Sequence, residues 1–200
     1  MTLSRPFYWA IAVSSLLVAV ISWRILVLPM DLVMPEMAAY VKQVPLAVWG
    51  HVLFGPIVLG LVPVQLSGRI RSRNPRLHRS SGRIYAGAVV IAAVAALGLV
   101  PGSVASPLAR LGFVVLAILW IGFTALGIAA ARRRDFAAHR RWMVRSLALT
   151  FAAVTLRVIM APLMASGWTV AETYDVTAWS SWLINLAVVE YAMRHRLRLA

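Results

Sequence analysis

Cysteine is absent from the 200 residues of this chain, and acidic side chains are scarce. The first absence excludes disulfides, thiolate metal sites and cysteine nucleophiles. Six Asp and Glu residues stand against 20 Lys and Arg residues, which gives a formal net charge of +14. Paired carboxylates, a serine with an arranged base and a glycine-rich phosphate loop are also missing from the sequence. The chain therefore carries no familiar hydrolase or phosphate-binding motif.

Apolar residues are abundant instead. Hydrophobic side chains make up 62% of the chain and charged side chains 13%, whereas soluble proteins hold about 45–50% and about 25%. Long apolar runs dominate the sequence, and about 20 such residues are enough to cross the hydrocarbon core of a bilayer. This composition predicts an all-α, polytopic transmembrane helical bundle that forms a single integral membrane domain over residues 1–200.

Six transmembrane spans follow from the apolar runs and from the breakers between them. Pro29, Pro101 and Gly167 mark three of the connections. The first run begins like a signal peptide, but it is too long and no small-residue cleavage pattern follows it, so we expect an uncleaved span. The predicted spans are 7–29, 46–66, 83–101, 107–131, 141–165 and 177–194.

Arginines concentrate in the loops 67–82 and 132–140 and in the C-terminal tail, and Arg5 precedes the first span. With six spans, all these regions fall on one side of the membrane. The positive-inside rule then predicts that both termini of this multipass protein are cytoplasmic. Lys42 is the single lysine among the 20 basic residues, and this preference for arginine is typical of GC-rich bacterial genomes, so the expected location is the bacterial inner membrane. Topology thus explains the positive charge. The expected partner is the lipid bilayer and not nucleic acid, since no soluble surface is predicted.

Arg24, His51 and Arg157 share a depth near the outer side, roughly 8–12 Å below the boundary at 1.5 Å per helical residue. Ionisable groups within a membrane are functional candidates because their burial is costly. Together these three could bind an anionic or carbonyl-rich ligand, such as a haem propionate, a quinone oxygen or a lipid phosphate. Alternatively, the two arginines extend outward to acidic partners. Those partners would be Asp31, Glu36, Glu172 or Asp175.

A second candidate site lies near the inner side. His78 in "NPRLHRSSGRIY" and His139 in "AAHRRWMVRSLAL" both precede an apolar run that leads outward. Two imidazoles at one depth could supply both axial ligands of a haem b iron. Arginine pairs bidentately with carboxylates, so neighbouring arginines could bind the propionates. They are Arg79, Arg83, Arg140 and Arg145. Alternatively, both histidines are ordinary members of basic loops.

One further acidic residue has a local explanation. Glu190 precedes Arg194 by four residues, which is the spacing of an ion pair along a helix. We therefore expect this pair to be structural.

The segments "WGHVLFGPIVLGLVPVQL", "NPRLHRSSGRIYAG" and "HRRWMVRSLALTFAAVTLR" resemble the bacterial membrane-protein family catalogued as domain of unknown function 2306. The resemblance covers roughly residues 46–160 and implies a multi-helix integral membrane protein. Its characteristic positions here are His51, His78, Arg79, Gly82, Arg83, Tyr85, His139, Arg140, Trp142, Met143, Arg145 and Arg157.

A more distant likeness bears on mechanism. The motif "LHRSSG" is similar to a histidine motif of transmembrane di-haem cytochromes b, in which one haem uses the third and fifth of six helices. That likeness implies His78 and His139 as ligands of an inner haem. It does not extend to a second haem, because the fourth predicted span has no histidine.

Three functions are compatible with these features. The first is electron transfer through a haem b, with a quinone or another carrier near Arg24, His51 and Arg157. The second is transport or binding of an anionic or lipid-like small molecule by the same outer residues. The third is a structural role as a subunit of a larger membrane complex. The sequence leaves open whether the protein is an enzyme.

Overall fold

A computed structural model describes residues 4–33, 35 and 41–197, and these residues contain helices and no strand. The all-α prediction is therefore confirmed for this part of the chain. The helices are α1 (Arg5–Ser22), α2 (Met30–Val33), α3 (Pro45–Leu66), α4 (Gly68–Arg73), α5 (Pro75–Leu99), α6 (Pro107–Arg132), α7 (Phe136–Ala165) and α8 (Val170–Leu197). Short 3-10 turns occupy Trp23–Leu26 and Val100–Gly102.

The chain divides into two compact units, Met1–Leu99 and Val100–Ala200. In the first unit, α3 packs against α5 on one side and α1 on another. In the second unit, α6, α7 and α8 pack against one another. The prediction of a single integral membrane domain stays a prediction.

Five helical segments in the described part of the chain are long and apolar enough to cross a membrane. They are Arg5–Leu26, Pro45–Leu66, Pro75–Gly102, Pro107–Arg132 and Phe136–Ala165. Helix α8 has 28 residues but is less apolar, because it carries Glu172, Asp175 and Glu190 among others. Five of the six predicted spans therefore correspond to helices that could cross a membrane, and the sixth is a helix whose crossing stays a prediction.

The basic loops proved more helical than expected. Helix α5 begins at Pro75, eight residues before the predicted span, because Asn74 Oδ1 accepts a hydrogen bond from the backbone N–H of Leu77 at 3.1 Å. Asp135 Oδ1 likewise accepts from Ala138 N at 2.9 Å and starts α7 at Phe136. These side chains satisfy donors that a helix N-terminus leaves open. His78 in the first unit and His139 in the second therefore each lie within the first turn of a helix.

Helix α8 begins with a reciprocal cap outside the predicted sixth span. Glu172 Oε2 accepts hydrogen bonds from the backbone N–H and the hydroxyl of Thr169 at 2.7 and 2.8 Å, and Thr169 Oγ1 accepts from Glu172 N at 3.3 Å. Such pairs satisfy open donors at both positions. Because these bonds favour the carboxylate, they hold the pKa of Glu172 below its usual range.

Small residues allow close contact between helices within each unit. In the first unit, a Cβ on Gly50 would lie 3.0 Å from Ala95 Cβ, and a Cβ on Gly98 would lie 3.0 Å from Ala47 Cβ. In the second unit, a Cβ on Gly112 would lie 2.9 Å from the carbonyl oxygen of Ala178. Glycine is therefore needed at position 112, since the neighbouring atom belongs to the backbone of α8.

We expect Gly112→Ala to destabilise the second unit by about 1–3 kcal/mol, because the methyl group would force α6 away from α8. Gly122→Ala on the same helix is the matched control, since a Cβ there meets no atom within 4 Å. The measurement is the unfolding midpoint of the purified protein in detergent. Equal midpoints for the two variants would contradict this account of the α6–α8 contact.

Candidate functional site

His139 is held in one orientation at the start of α7. Its Nδ1 lies 2.8 Å from the carbonyl oxygen of Gly127 on α6. A carbonyl oxygen can only accept a hydrogen bond, so Nδ1 carries the proton. In the neutral ring, Nε2 then keeps its lone pair and is the atom available to a metal or a proton donor. A backbone carbonyl that fixes a ring in this way is common among metal-binding histidines.

The approach of α7 to α6 makes this hydrogen bond possible. A Cβ on Gly127 would lie 2.6 Å from Met143 Sδ, and Gly127 is buried. Met143 lies one helical turn after His139, so glycine at 127 lets both side chains reach α6. The motif "HRRWM" thus has a packing function at Met143 as well as a polar function at His139.

Arg145 and Glu190 form a bidentate ion pair between α7 and α8. Nε lies 2.5 Å from Oε1 and Nη2 lies 3.0 Å from Oε2. The two side chains are only 20% and 34% exposed. The Cζ atom of Arg145 also lies 4.8 Å from the ring centre of Trp142, which is within the range of a cation–π contact.

This ion pair corrects the expected Glu190–Arg194 pair. Glu190 contacts a helix earlier in the chain, whereas the Arg194 side chain is exposed. Spacing along one helix shows only that two charges can meet, and it carries no information about a partner on another helix. The pair also occupies the guanidinium of Arg145, which was a candidate for binding a propionate.

His78 lies in the first turn of α5 and is half-buried. Gln65, near the end of α3, donates from Nε2 to Ser81 Oγ at 2.8 Å and to the His78 carbonyl oxygen at 3.4 Å. Gly82 lies beside the same amide, because a Cβ there would be 3.3 Å from Gln65 Oε1. The amide of Gln65 thus ties the end of α3 to the histidine-bearing turn of α5.

The arginines of the inner site differ in exposure. Arg79, Arg83 and Arg140 are exposed near the N-terminal ends of α5 and α7. Arg145 is partly buried. Tyr85, another position of the family motif, is fully buried in the first unit.

The outer candidates have separate backbone partners. His51 Nδ1 lies 3.1 Å from the carbonyl oxygen of Ala92, which fixes its tautomer in the same way as that of His139.

Arg24 is exposed in the 3-10 turn, and its Nη2 donates to the Val33 carbonyl at 3.4 Å. Arg157 is exposed, and its Nη1 donates to the Ala153 carbonyl at 2.9 Å. Arg24 and His51 belong to the first unit and Arg157 to the second. Glu36, one of the suggested partners, lies outside the described residues.

Metal ions such as zinc, which take three or more protein ligands, have no site among the residues described. No three His, Cys, Asp or Glu side chains come together in that part of the chain. A haem iron takes only one or two protein ligands, so this finding does not bear on it.

Three polar contacts between helices in the second unit were not predicted from the sequence. Thr124 Oγ1 and Ser146 Oγ lie 2.7 Å apart between α6 and α7, and Trp120 Nε1 donates to Thr150 Oγ1 at 3.0 Å. Asn185 Oδ1 accepts from Thr155 Oγ1 at 2.9 Å between α7 and α8. Hydroxyl and amide side chains inside the apolar runs could have predicted these contacts, because such side chains form hydrogen bonds between membrane helices.

We expect the Arg145–Glu190 pair to stabilise the second unit by about 1–2 kcal/mol, at the low end for charged hydrogen bonds because Glu190 is one-third exposed. A double-mutant cycle with Arg145→Gln and Glu190→Gln, read as unfolding midpoints in detergent, measures that coupling. Arg194→Gln is the control and should leave the midpoint unchanged. A larger effect of Arg194→Gln than of Arg145→Gln would show instead that Glu190 pairs with Arg194 along α8.

Comparisons with known proteins show the family of this chain. The family described as "Predicted membrane protein (DUF2306)" matches residues 48–193, which include His51, His78, His139 and Glu190. No curated protein and no solved structure matches the chain, so the distant likeness to cytochromes b has no support from these searches. Since the match covers well over half of the chain, the protein belongs to the DUF2306 family of membrane proteins.

Proposed function

We propose that the protein binds haem b and transfers electrons within the membrane. His139 of the second unit would hold the iron, and His78 of the first unit is the sequence-based candidate for a second ligand. The observation that carries the proposal is the hydrogen bond from His139 Nδ1 to the Gly127 carbonyl. It leaves Nε2 as the coordinating atom and holds the ring still, which lowers the cost of binding a metal. When bound, the haem would supply a one-electron redox centre.

The helix ends around the two histidines suit the propionates of such a group. Both residues lie in the first turn of a helix, where the helix dipole favours negative charge. Arg79, Arg83 and Arg140 are exposed nearby in sequence and present guanidinium forks for carboxylates. Arg145 is the weakest of the four candidates, since it already binds Glu190.

Absorption spectra of the purified full-length protein test this proposal directly. After expression with ample haem, the wild-type protein should show a Soret band that shifts on reduction with dithionite, together with a sharp α-band. His139→Ala and His78→Ala should each reduce the haem content at least several-fold. His195→Ala is the matched control, because His195 is exposed and its ring contacts the tilted ring of Tyr191, with 4.4 Å between ring centres, in the C-terminal part of α8.

Two results would overturn the haem proposal. One is a colourless wild-type protein that is otherwise folded. The other is retention of the haem by both His78→Ala and His139→Ala, with loss only in His51→Ala, which would move the site to another histidine.

We further infer that α8 is a sixth span and that both termini are cytoplasmic. Helix α8 has 28 residues, roughly 42 Å at 1.5 Å each, which exceeds the thickness of the hydrocarbon core. Its polar residues Thr173, Thr177 and Ser181 are buried, so they need not face lipid. The arginine-rich segments around α4 and between α6 and α7 agree with this orientation.

Reporter fusions at the C-terminus test the sixth span. We expect green fluorescent protein fused after residue 200 to fluoresce and alkaline phosphatase at the same point to be inactive. Fusions between α7 and α8 should give the reverse pattern, because that connection would lie outside. An active phosphatase at the C-terminus would mean that the chain crosses the membrane five times.

Binding or transport of an anionic small molecule is the second candidate function. Its support is that Arg24 and Arg157 are exposed residues on segments long and apolar enough to span the membrane. Charges in such positions need a functional reason. A folded, colourless protein would favour this function, or a structural role in a membrane complex, over electron transfer.

A further inference from the structure

A shallow, open groove lies along one face of α6 in the second unit, and all of its lining residues belong to that helix or its C-terminal cap. Its lining residues are Ala125, Ile128, Ala129, Arg132 and Arg133. Three apolar side chains form its upper part, and they recur at the three- and four-residue spacing of a single helix face. Two exposed arginines lie at the end of the groove where α6 terminates. The groove therefore joins an apolar wall to a concentrated positive charge.

The acidic residues closest to this groove along the chain have other partners. The Asp135 carboxylate caps α7 through Ala138 N at 2.9 Å. Glu190 is held by Arg145. Among residues 4–33, 35 and 41–195, whose side chains the structure describes, no carboxylate forms an ion pair with Arg132 or Arg133. With six acidic residues against 20 basic ones, the chain cannot neutralise its own arginines. An anion paired with Arg132 or Arg133 would therefore come from outside the described residues.

We propose that this groove binds an anionic phospholipid. Its phosphate would lie between Arg132 and Arg133, and the first part of an acyl chain would lie against Ala125, Ile128 and Ala129. Arginine suits the headgroup because its planar fork donates two hydrogen bonds to a phosphate. Basic pockets at the ends of membrane helices bind anionic headgroups for the same reason. This site does not depend on a haem.

The apolar wall favours a lipid over a free phosphate. Helix α6 is among the most apolar segments of the chain, and the groove lies on its last turns. A soluble phosphate would contact only the two guanidinium groups, whereas a lipid also covers the wall above them. The methyl side chains of Ala125 and Ala129 leave room for an acyl chain that larger residues would fill.

The test is a titration of short-chain phosphatidylglycerol into the full-length protein in detergent micelles, followed by the thermal unfolding midpoint. A ligand that binds the folded state raises that midpoint. We expect a rise with phosphatidylglycerol, and no rise with phosphatidylcholine or with sodium phosphate. Each arginine near an anionic headgroup strengthens binding roughly fivefold, so Arg132→Gln with Arg133→Gln should weaken it about 25-fold.

Two further variants separate this site from general charge attraction. Arg69→Gln with Arg71→Gln removes the same charge from exposed positions on α4 and should leave the affinity unchanged. Ala125→Trp keeps both arginines but fills the groove, and it should weaken phosphatidylglycerol binding several-fold. Ala125 is exposed, so the fold should tolerate the larger side chain.

Three outcomes would overturn the proposal. Equal weakening by the α4 variant would show that net charge alone attracts the lipid. An equal midpoint shift with sodium phosphate would show that the arginines bind a free anion. Unchanged affinity in Ala125→Trp would show that the apolar wall takes no part.

Discussion

The absence of water from a hydrocarbon core is the constraint on which this structure depends. Every backbone N–H and C=O group within the bilayer must find a partner inside the protein, and a helix provides all of them locally. Five long apolar helical segments meet that condition here. The same constraint extends to side chains, because a hydroxyl, an imidazole or a guanidinium in lipid needs a partner on a neighbouring helix or on its own backbone. The chain's polar residues are consequently the best guide to where its helices meet.

The second unit shows how those partners are supplied. Small residues bring helices close together, and polar groups then reach across the contact. Gly127 brings α6 against Met143 and offers its carbonyl to His139. Arg145 meets Glu190 on α8, and Thr124 meets Ser146 on α7. In the first unit, the Gln65 amide plays the equivalent part between α3 and α5. Among the characteristic family positions, His139, Met143 and Arg145 therefore lie where helix contacts are made, whereas Arg79, Arg83 and Arg140 are exposed.

The sequence was sufficient to predict features that depend on residues close together along the chain. Apolar runs predicted the long helices, and motif residues placed the chain in its family, which the match over residues 48–193 confirmed. Helix starts were missed by five to eight residues because Asn74 and Asp135 cap helices within segments that had been interpreted as basic loops. The predicted pairing of Glu190 with Arg194 was wrong, because a four-residue spacing shows only that two side chains are close on one helix. It cannot show that Arg145 on another helix lies within reach of Glu190.

Composition by itself determined the class of membrane helices, since hydrophobic side chains make up 62% of the chain against about 45–50% in soluble proteins. The excess of arginine determined that its charge must be balanced from outside. Tertiary structure alone decided which polar groups meet: Nδ1 of His139 with the Gly127 carbonyl, and Arg145 with Glu190. The physical reason is distance along the chain. These partners are 12 and 45 residues apart, and only the packing of whole helices can bring them within hydrogen-bonding range.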